Sequence, residues 1–129
     1  MTRRRTQESE GGDRTPEVIL DFEYSRGLLY ISVENIGTSP AYRISVQFDK
    51  EITGIDGAKR ISSLNMFKNL EFLPPKKKLR AFVDSFPSYV ARKQPLVIQV
   101  SVVYHEQGGR KLANKMTHDL SIYQDLPQI

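Results

Sequence analysis

A chain of 129 residues, 39% of them hydrophobic, has material for one domain around one ordinary core. It contains no cysteine, which excludes disulfides, thiolate metal sites and a cysteine nucleophile and leaves either redox compartment open. The net charge of +4 is a mild basic excess, and no run approaches the ~20 apolar residues that cross a bilayer, so the chain as written reads as soluble.

Residues 1–16 are polar, charged and glycine-containing, with no apolar period. They predict a disordered basic tail ahead of a domain over 17–129. Arg3, Arg4 and Arg5 would suit the front of a signal peptide, but no apolar stretch follows them.

From Glu17 onward the chain alternates. In "EVILDFEY", Val18, Leu20, Phe22 and Tyr24 share one face. Ser25-Arg26-Gly27 is a turn signal. "LLYISVEN" and "AYRISVQFD" repeat the period of two, each rich in β-branched and aromatic residues. The middle is less regular. Gly54 and Gly57 mark turns, and the spacing of Leu64, Phe67 and Leu70 suggests a short helical turn. Pro74-Pro75 bars a ladder. "KLRAFVDSF" reads as a strand. "PLVIQVSVVYHE" is the strongest strand, with Ile98, Val100, Val102 and Tyr104 on one face. Gly108-Gly109 reads as a hairpin turn and "RKLANKMTHDLSIY" as the returning strand. About seven strands with turn signals at short intervals predict an all-β, immunoglobulin-like antiparallel sandwich with Greek-key connections.

The stretch "ENIGTSPAYRISVQFD" joins two of these runs. Asn35 and Gly37 are expected to take left-handed backbone angles for a sharp exit. Pro40 is tolerated at a strand entrance. "VENIGTSPAYRISVQF" resembles the Asn-x-Gly-x-x-Pro-Ala-x-x-Val-x-Val signature of CARDB and related NEW3 immunoglobulin-like domains. "LEFLPPKKKLRAFVDS" is similar to the approach to a later strand in those families, except that Lys76 stands where they usually carry Gly. A set of uncharacterised prokaryotic proteins shares both features. The resemblance implies adhesion, cell-surface or uncharacterised modules and brings no catalytic residues with it.

Chemistry is sparse. With a turn centred on Gly108-Gly109, His105 would face Leu112 and His118 would face Gln99. That places the imidazoles ~20 Å apart along the ladder, too far to share an ion. His118 shares parity with Met116 and Leu120 and reads as a partly buried, hydrogen-bonded histidine. Carboxylates are scattered, no serine has a nearby base, and no glycine-rich phosphate loop is present. Neither catalysis nor a cofactor or metal is expected. The strongest functional candidate is the basic run Lys76, Lys77, Lys78 and Arg80, joined by Arg92 and Lys93, as an anion-facing patch. The segment "SFPSYVARKQP" reads as a long binding loop. Tyr30 reads as a lone outward aromatic, a poor platform for a sugar. The leading expectation is an interaction module for another protein or its own kind, through loops or an edge strand. The alternative is binding of nucleic acid or an anionic surface through the basic cluster.

Overall fold

The computed structural model describes residues 14–127. The long strands are β1 (Val18–Ser25), β2 (Leu28–Asn35), β3 (Ala41–Phe48), β7 (Lys78–Ser85), β8 (Val97–His105) and β9 (Lys111–Asp119). Between β3 and β7 lie the short strands β4 (Thr53–Gly54), β5 (Lys59–Arg60) and β6 (Leu70–Leu73), and one helical turn, α1 (Asn65–Lys68). Three strands pair in the order β1-β2-β7 and four in the order β6-β3-β8-β9, while β4 and β5 form a separate ribbon. All ladders are antiparallel. The chain changes sheets between β2 and β3, β6 and β7, and β7 and β8. This is the immunoglobulin-like sandwich with Greek-key crossovers.

The period of two fixes the core. Leu20 and Phe22 of β1, Ile31 of β2, Val46 of β3, and Val100 and Val102 of β8 all point between the sheets and are buried. The expected helical turn over Leu64–Leu70 is α1, whose Phe67 is fully buried and packs edge-on against Phe48.

Several local expectations are corrected. The segment read as a binding loop after β7 is instead a helix, α2 (Phe86–Ala91). Ser85 caps it by accepting from the Ser88 N–H at 3.2 Å, Pro87 sits in its first turn, and Tyr89 is buried. The last strand ends at Asp119, earlier than expected. The Asp119 carboxylate accepts from the Ser121 N–H at 3.0 Å and opens a 3-10 turn over Leu120–Tyr123.

The β8–β9 register is also one residue from expectation. His105 pairs with Lys111 and His118 with Ile98. The Gly109 N–H donates to Glu106 O, the Glu106 N–H to Arg110 O, and Gly109 alone of the two glycines takes a positive φ, of 94°. The turn therefore holds one residue more than a two-residue hairpin, which moves every partner by one place.

Neither Asn35 nor Gly37 takes a positive φ. Asn35 acts through its side chain, which is completely buried. Its Oδ1 accepts from the N–H groups of Glu17 (3.1 Å) and Gly37 (2.9 Å). Its Nδ2 donates to the carbonyls of Ser39 (2.9 Å) and Leu73 (3.1 Å). Gly37 is required for space: a Cβ there would lie 2.3 Å from Thr15 O. Within residues 34–49 the left-handed angle falls at Arg43, at φ 48°. In the turn before β7, Lys76 is left-handed as well, at φ 67°, and its N–H donates to Asn35 O at 2.7 Å. The turn thus has the geometry a glycine favours although the chain carries lysine there. Of the predicted tail, residues 1–13 lie outside the described residues. Beyond them, Thr15 O accepts from the Thr38 N–H at 2.9 Å, and Glu17 O from the Ile36 N–H at 2.8 Å.

Candidate functional site

The basic run is divided by the fold. Lys76 and Lys77 lie in the turn before β7, and the Lys76 ammonium donates to Ile36 O at 2.9 Å. Lys78 and Arg80 lie two apart on β7 and point from the outer face of the three-stranded sheet. Both reach Glu23 of β1 across β2, at 2.7 and 3.3 Å. Hydrogen bonding to Lys78 leads the causes that hold the Glu23 carboxyl below its usual range, with Arg80 assisting against the effect of burial. Arg80 also stands 4.2 Å above the ring centroid of Tyr30. Tyr30 is not alone. Phe82 meets it edge-on at 5.6 Å, because the β2–β7 register shifts between Leu29 and Tyr30, skipping Val83 of β7 and setting Phe82 directly opposite Tyr30.

Arg92 and Lys93 do not join this cluster. Arg92 follows α2 and pairs with Asp84, at the far end of β7 from Lys78. The pair is 2.7 Å long, and the Asp84 side chain is only 7% exposed. Arg92 also donates to the hydroxyl and carbonyl of Thr53. This guanidinium ties the β4–β5 ribbon to β7 and α2, a structural duty that the basic count could not distinguish from an available charge. Lys93 lies beyond it, in the left-handed region at φ 56°.

The two histidines stand on opposite faces of the four-stranded sheet, seven positions apart along β8–β9. His105 Nδ1 lies 3.2 Å from Arg43 O at a β3 irregularity. His118 is half-buried, with Nε2 2.9 Å from Leu20 O, as its parity predicted. Among the described residues no cluster of three His, Asp or Glu side chains could hold a metal ion.

The feature that sequence reading left unspecified is a contrast between two adjacent sheet edges. β1 is the edge of one sheet and β9 the edge of the other. Side chains from β9 and the turn after it cap alternate carbonyls of β1. Asn114 donates to Val18 O (2.9 Å), His118 faces Leu20 O, and the Tyr123 hydroxyl donates to Phe22 O (3.0 Å). β1 is thereby closed to a further strand. β9 is not. The bonds Glu106 N–H to Arg110 O and Leu120 N–H to Leu96 O show that even-numbered residues of β9 pair with β8. By the antiparallel alternation, Lys111, Ala113, Lys115, Thr117 and Asp119 turn their N–H and C=O groups to the outer edge. Among the described residues these groups have no backbone partner.

A shallow polar hollow of about 510 Å³ lies beside this edge, lined by Gln47, Asp49, Gln99, Ser101, Lys115 and Thr117 among others. The Asp49 carboxylate there is already engaged by the Gln99 N–H at 2.9 Å. At the loop end of the sandwich a second hollow, of about 390 Å³, is bordered by Arg14, Ser39, Glu106 and Arg110.

A family model described as "Domain of unknown function (DUF8453)" matches residues 1–124. The chain belongs to that family. No curated protein and no solved structure matches it. Within this DUF8453 domain no helix among the described residues is long and apolar enough to cross a membrane.

Proposed function

We propose that this domain is a non-catalytic interaction module that takes an extended segment of another polypeptide as an added strand along β9. The supporting observation is the contrast of edges: β1 is capped at alternate carbonyls, whereas five residues of β9 turn backbone groups without a backbone partner among the described residues to the outer edge. An open edge is an aggregation hazard that proteins ordinarily blunt. Here Lys111 and Lys115 guard it against unselective pairing without closing it. The adhesion and cell-surface modules implied by the resemblance to CARDB and NEW3 domains are non-catalytic too; the choice of β9 rests on the edges alone.

The test uses Ala113→Pro and Thr117→Pro. Their N–H groups face away from β8, so proline removes free-edge donors and leaves the β8–β9 ladder intact. Extended peptides displayed on an array are screened against the wild type. Hydrogen exchange then reports which amides a retained peptide protects. Strand addition predicts protection at residues 111–119, loss of binding in both variants, and unchanged protection of the core. Binding that survives both prolines overturns it.

A second reading, polyanion binding, has one observation in its favour. Arg14 and Arg110 border the loop-end hollow, and Lys76 and Lys77 occupy a turn tied to the same loop through Asn35 and Ile36. It predicts affinity falling steeply with salt and no effect of the β9 prolines.

A further inference from the structure

We infer that the strand received by β9 is acidic: an antiparallel segment carrying carboxylates opposite Lys111 and Lys115 and apolar residues opposite Leu112 and Met116. This rests on the strand-addition reading and names the chemistry of its partner.

The outer face of β9 presents Lys111, Ala113, Lys115, Thr117 and Asp119, all exposed. The two lysines are four residues apart, ~13 Å along the strand. Neither is drawn into an ion pair among the described residues, unlike Lys78, Arg80, Arg92 and Arg110. A residue of an added strand directly opposite each lysine has its Cβ ~5 Å away, the distance at which opposite charges attract and like charges repel. At Lys115 the polar hollow adds Gln99, Ser101 and Thr117, side chains with N–H or O–H groups for a carboxylate. The one carboxylate lining that hollow, Asp49, already accepts from the Gln99 backbone.

The other face of β9 sets the alternation. Leu112 and Met116 are half-buried and pack against the core. Both point inward at the strand's margin, so an incoming strand beside them extends the core with apolar side chains at the matching positions. Asp119, at the end of β9, favours a basic or neutral residue opposite it. In the antiparallel sense the fitting segment therefore begins neutral or basic and ends acidic, with a carboxylate at every fourth residue.

Pairing of β9 with β9 of a second copy fits less well. A register that sets Lys111 opposite Asp119 of the copy also sets Lys115 opposite Lys115, a like-charge contact at the symmetry axis.

The experiment titrates the domain with four nine-residue peptides that share apolar positions. One has Glu opposite Lys111 and Lys115, one has Gln there, one has Lys there, and one has the Glu residues moved by a single place. Amide shifts and hydrogen exchange at residues 111–119 are followed by NMR. The expected order is Glu above Gln above Lys, with about three- to tenfold between Glu and Gln. The phase-shifted peptide should be weaker than the first. The double variant Lys111→Glu, Lys115→Glu should invert the order, and since both side chains are exposed it leaves the fold intact. If all peptides protect the β9 amides equally, strand addition stands and the acidic preference is overturned. If none protects them, or if the acidic peptides perturb only residues 74–77 and 106–110, both readings are overturned.

Discussion

His118 Nε2 lies 2.9 Å from the carbonyl oxygen of Leu20, across the seam between the two sheets. A carbonyl has no proton to give, so the imidazole must donate, which fixes its tautomer with Nε2–H. Phe22 holds the ring from the side, edge-on at 5.2 Å. With Asn114 and Tyr123 this contact turns one edge of the sandwich into a closed seam and leaves β9 as the open one. His118→Ala should destabilise the fold by about 1–3 kcal/mol, since it removes the donor to a part-buried carbonyl and leaves a gap beside Phe22. Urea unfolding measures the loss. Tyr123→Phe, which removes only a hydroxyl, should cost about 1 kcal/mol. A neutral result for His118→Ala would mean that the seam is not closed by this bond.

Asn35 is the second structural centre. All four of its side-chain hydrogen-bonding positions are used, by Glu17, Gly37, Ser39 and Leu73. Asn35→Asp keeps the shape but has no N–H for the carbonyls of Ser39 and Leu73, and it buries a charge. It should cost at least about 3 kcal/mol, near the loss in Asn35→Ala. Thermal melts of both variants check this. A mild effect of Asn35→Asp would show that water reaches the site.

Lys76 makes the opposite case. A side chain at φ 67° is strained by roughly 1–2 kcal/mol relative to an extended or helical residue. Lys76→Gly should relieve more than it adds in unfolded-chain entropy, for a net gain of about 0.5–1 kcal/mol. The lost ammonium contact to Ile36 O is exposed and contributes little. A destabilised variant would show that this contact carries the turn.

The sandwich was legible because alternation is a strong signal where one face is buried. Val18, Leu20 and Phe22, or Ile98, Val100 and Val102, leave no other solution. What escaped lies in places where one residue decides. Gly109 adds a residue to the hairpin and shifts every cross-strand partner. Ser85 and Pro87 begin a helix where the eye sees a loop between strands. Both signals were present as an N-cap and a first-turn proline. The basic cluster was only partly legible, because charge type does not reveal whether a partner waits across the sheet. Glu23 is 55 residues from Lys78 in sequence, and only the β1-β2-β7 order brings them together. The edge contrast was legible only in general form, since capping of β1 needs the register and the turn after β9.

Three tyrosines set the alkaline limit. Tyr89 is fully buried, with its hydroxyl 2.6 Å from Pro95 O, and burial raises its pKa far above the ordinary 10.0. Burial also raises Tyr104 and Tyr123. A raised folded-state pKa contributes stability that is fully present below the unfolded value and is lost as pH rises towards the folded one. Stability should therefore fall above pH ~10. Ultraviolet titration should show these phenols ionising only as the protein unfolds. Their ionisation near pH 10 in a still-folded chain would contradict the packing around α2 and the seam.

Glu23 holds two of the candidate basic residues, so its removal separates surface charge from function. Glu23→Gln leaves Lys78 and Arg80 without a carboxylate on the sheet face. The pairs are part-exposed, so the loss in stability should stay below about 1 kcal/mol. The pH dependence has a definite sign. Glu23 is held below its ordinary 4.5, so its contribution is present above that value and is lost as pH falls through the folded-state pKa. The variant should show a shallower acid limb below pH 4.5, read from urea midpoints at stepped pH. On a heparin column it should elute at higher salt than the wild type, because two cations become free to bind polyanion. Peptide capture by β9 should be unchanged, since Glu23 lies on the other sheet and faces outward. A parallel change in both assays would mean that β9 binding is general charge attraction and that the strand-addition reading is wrong.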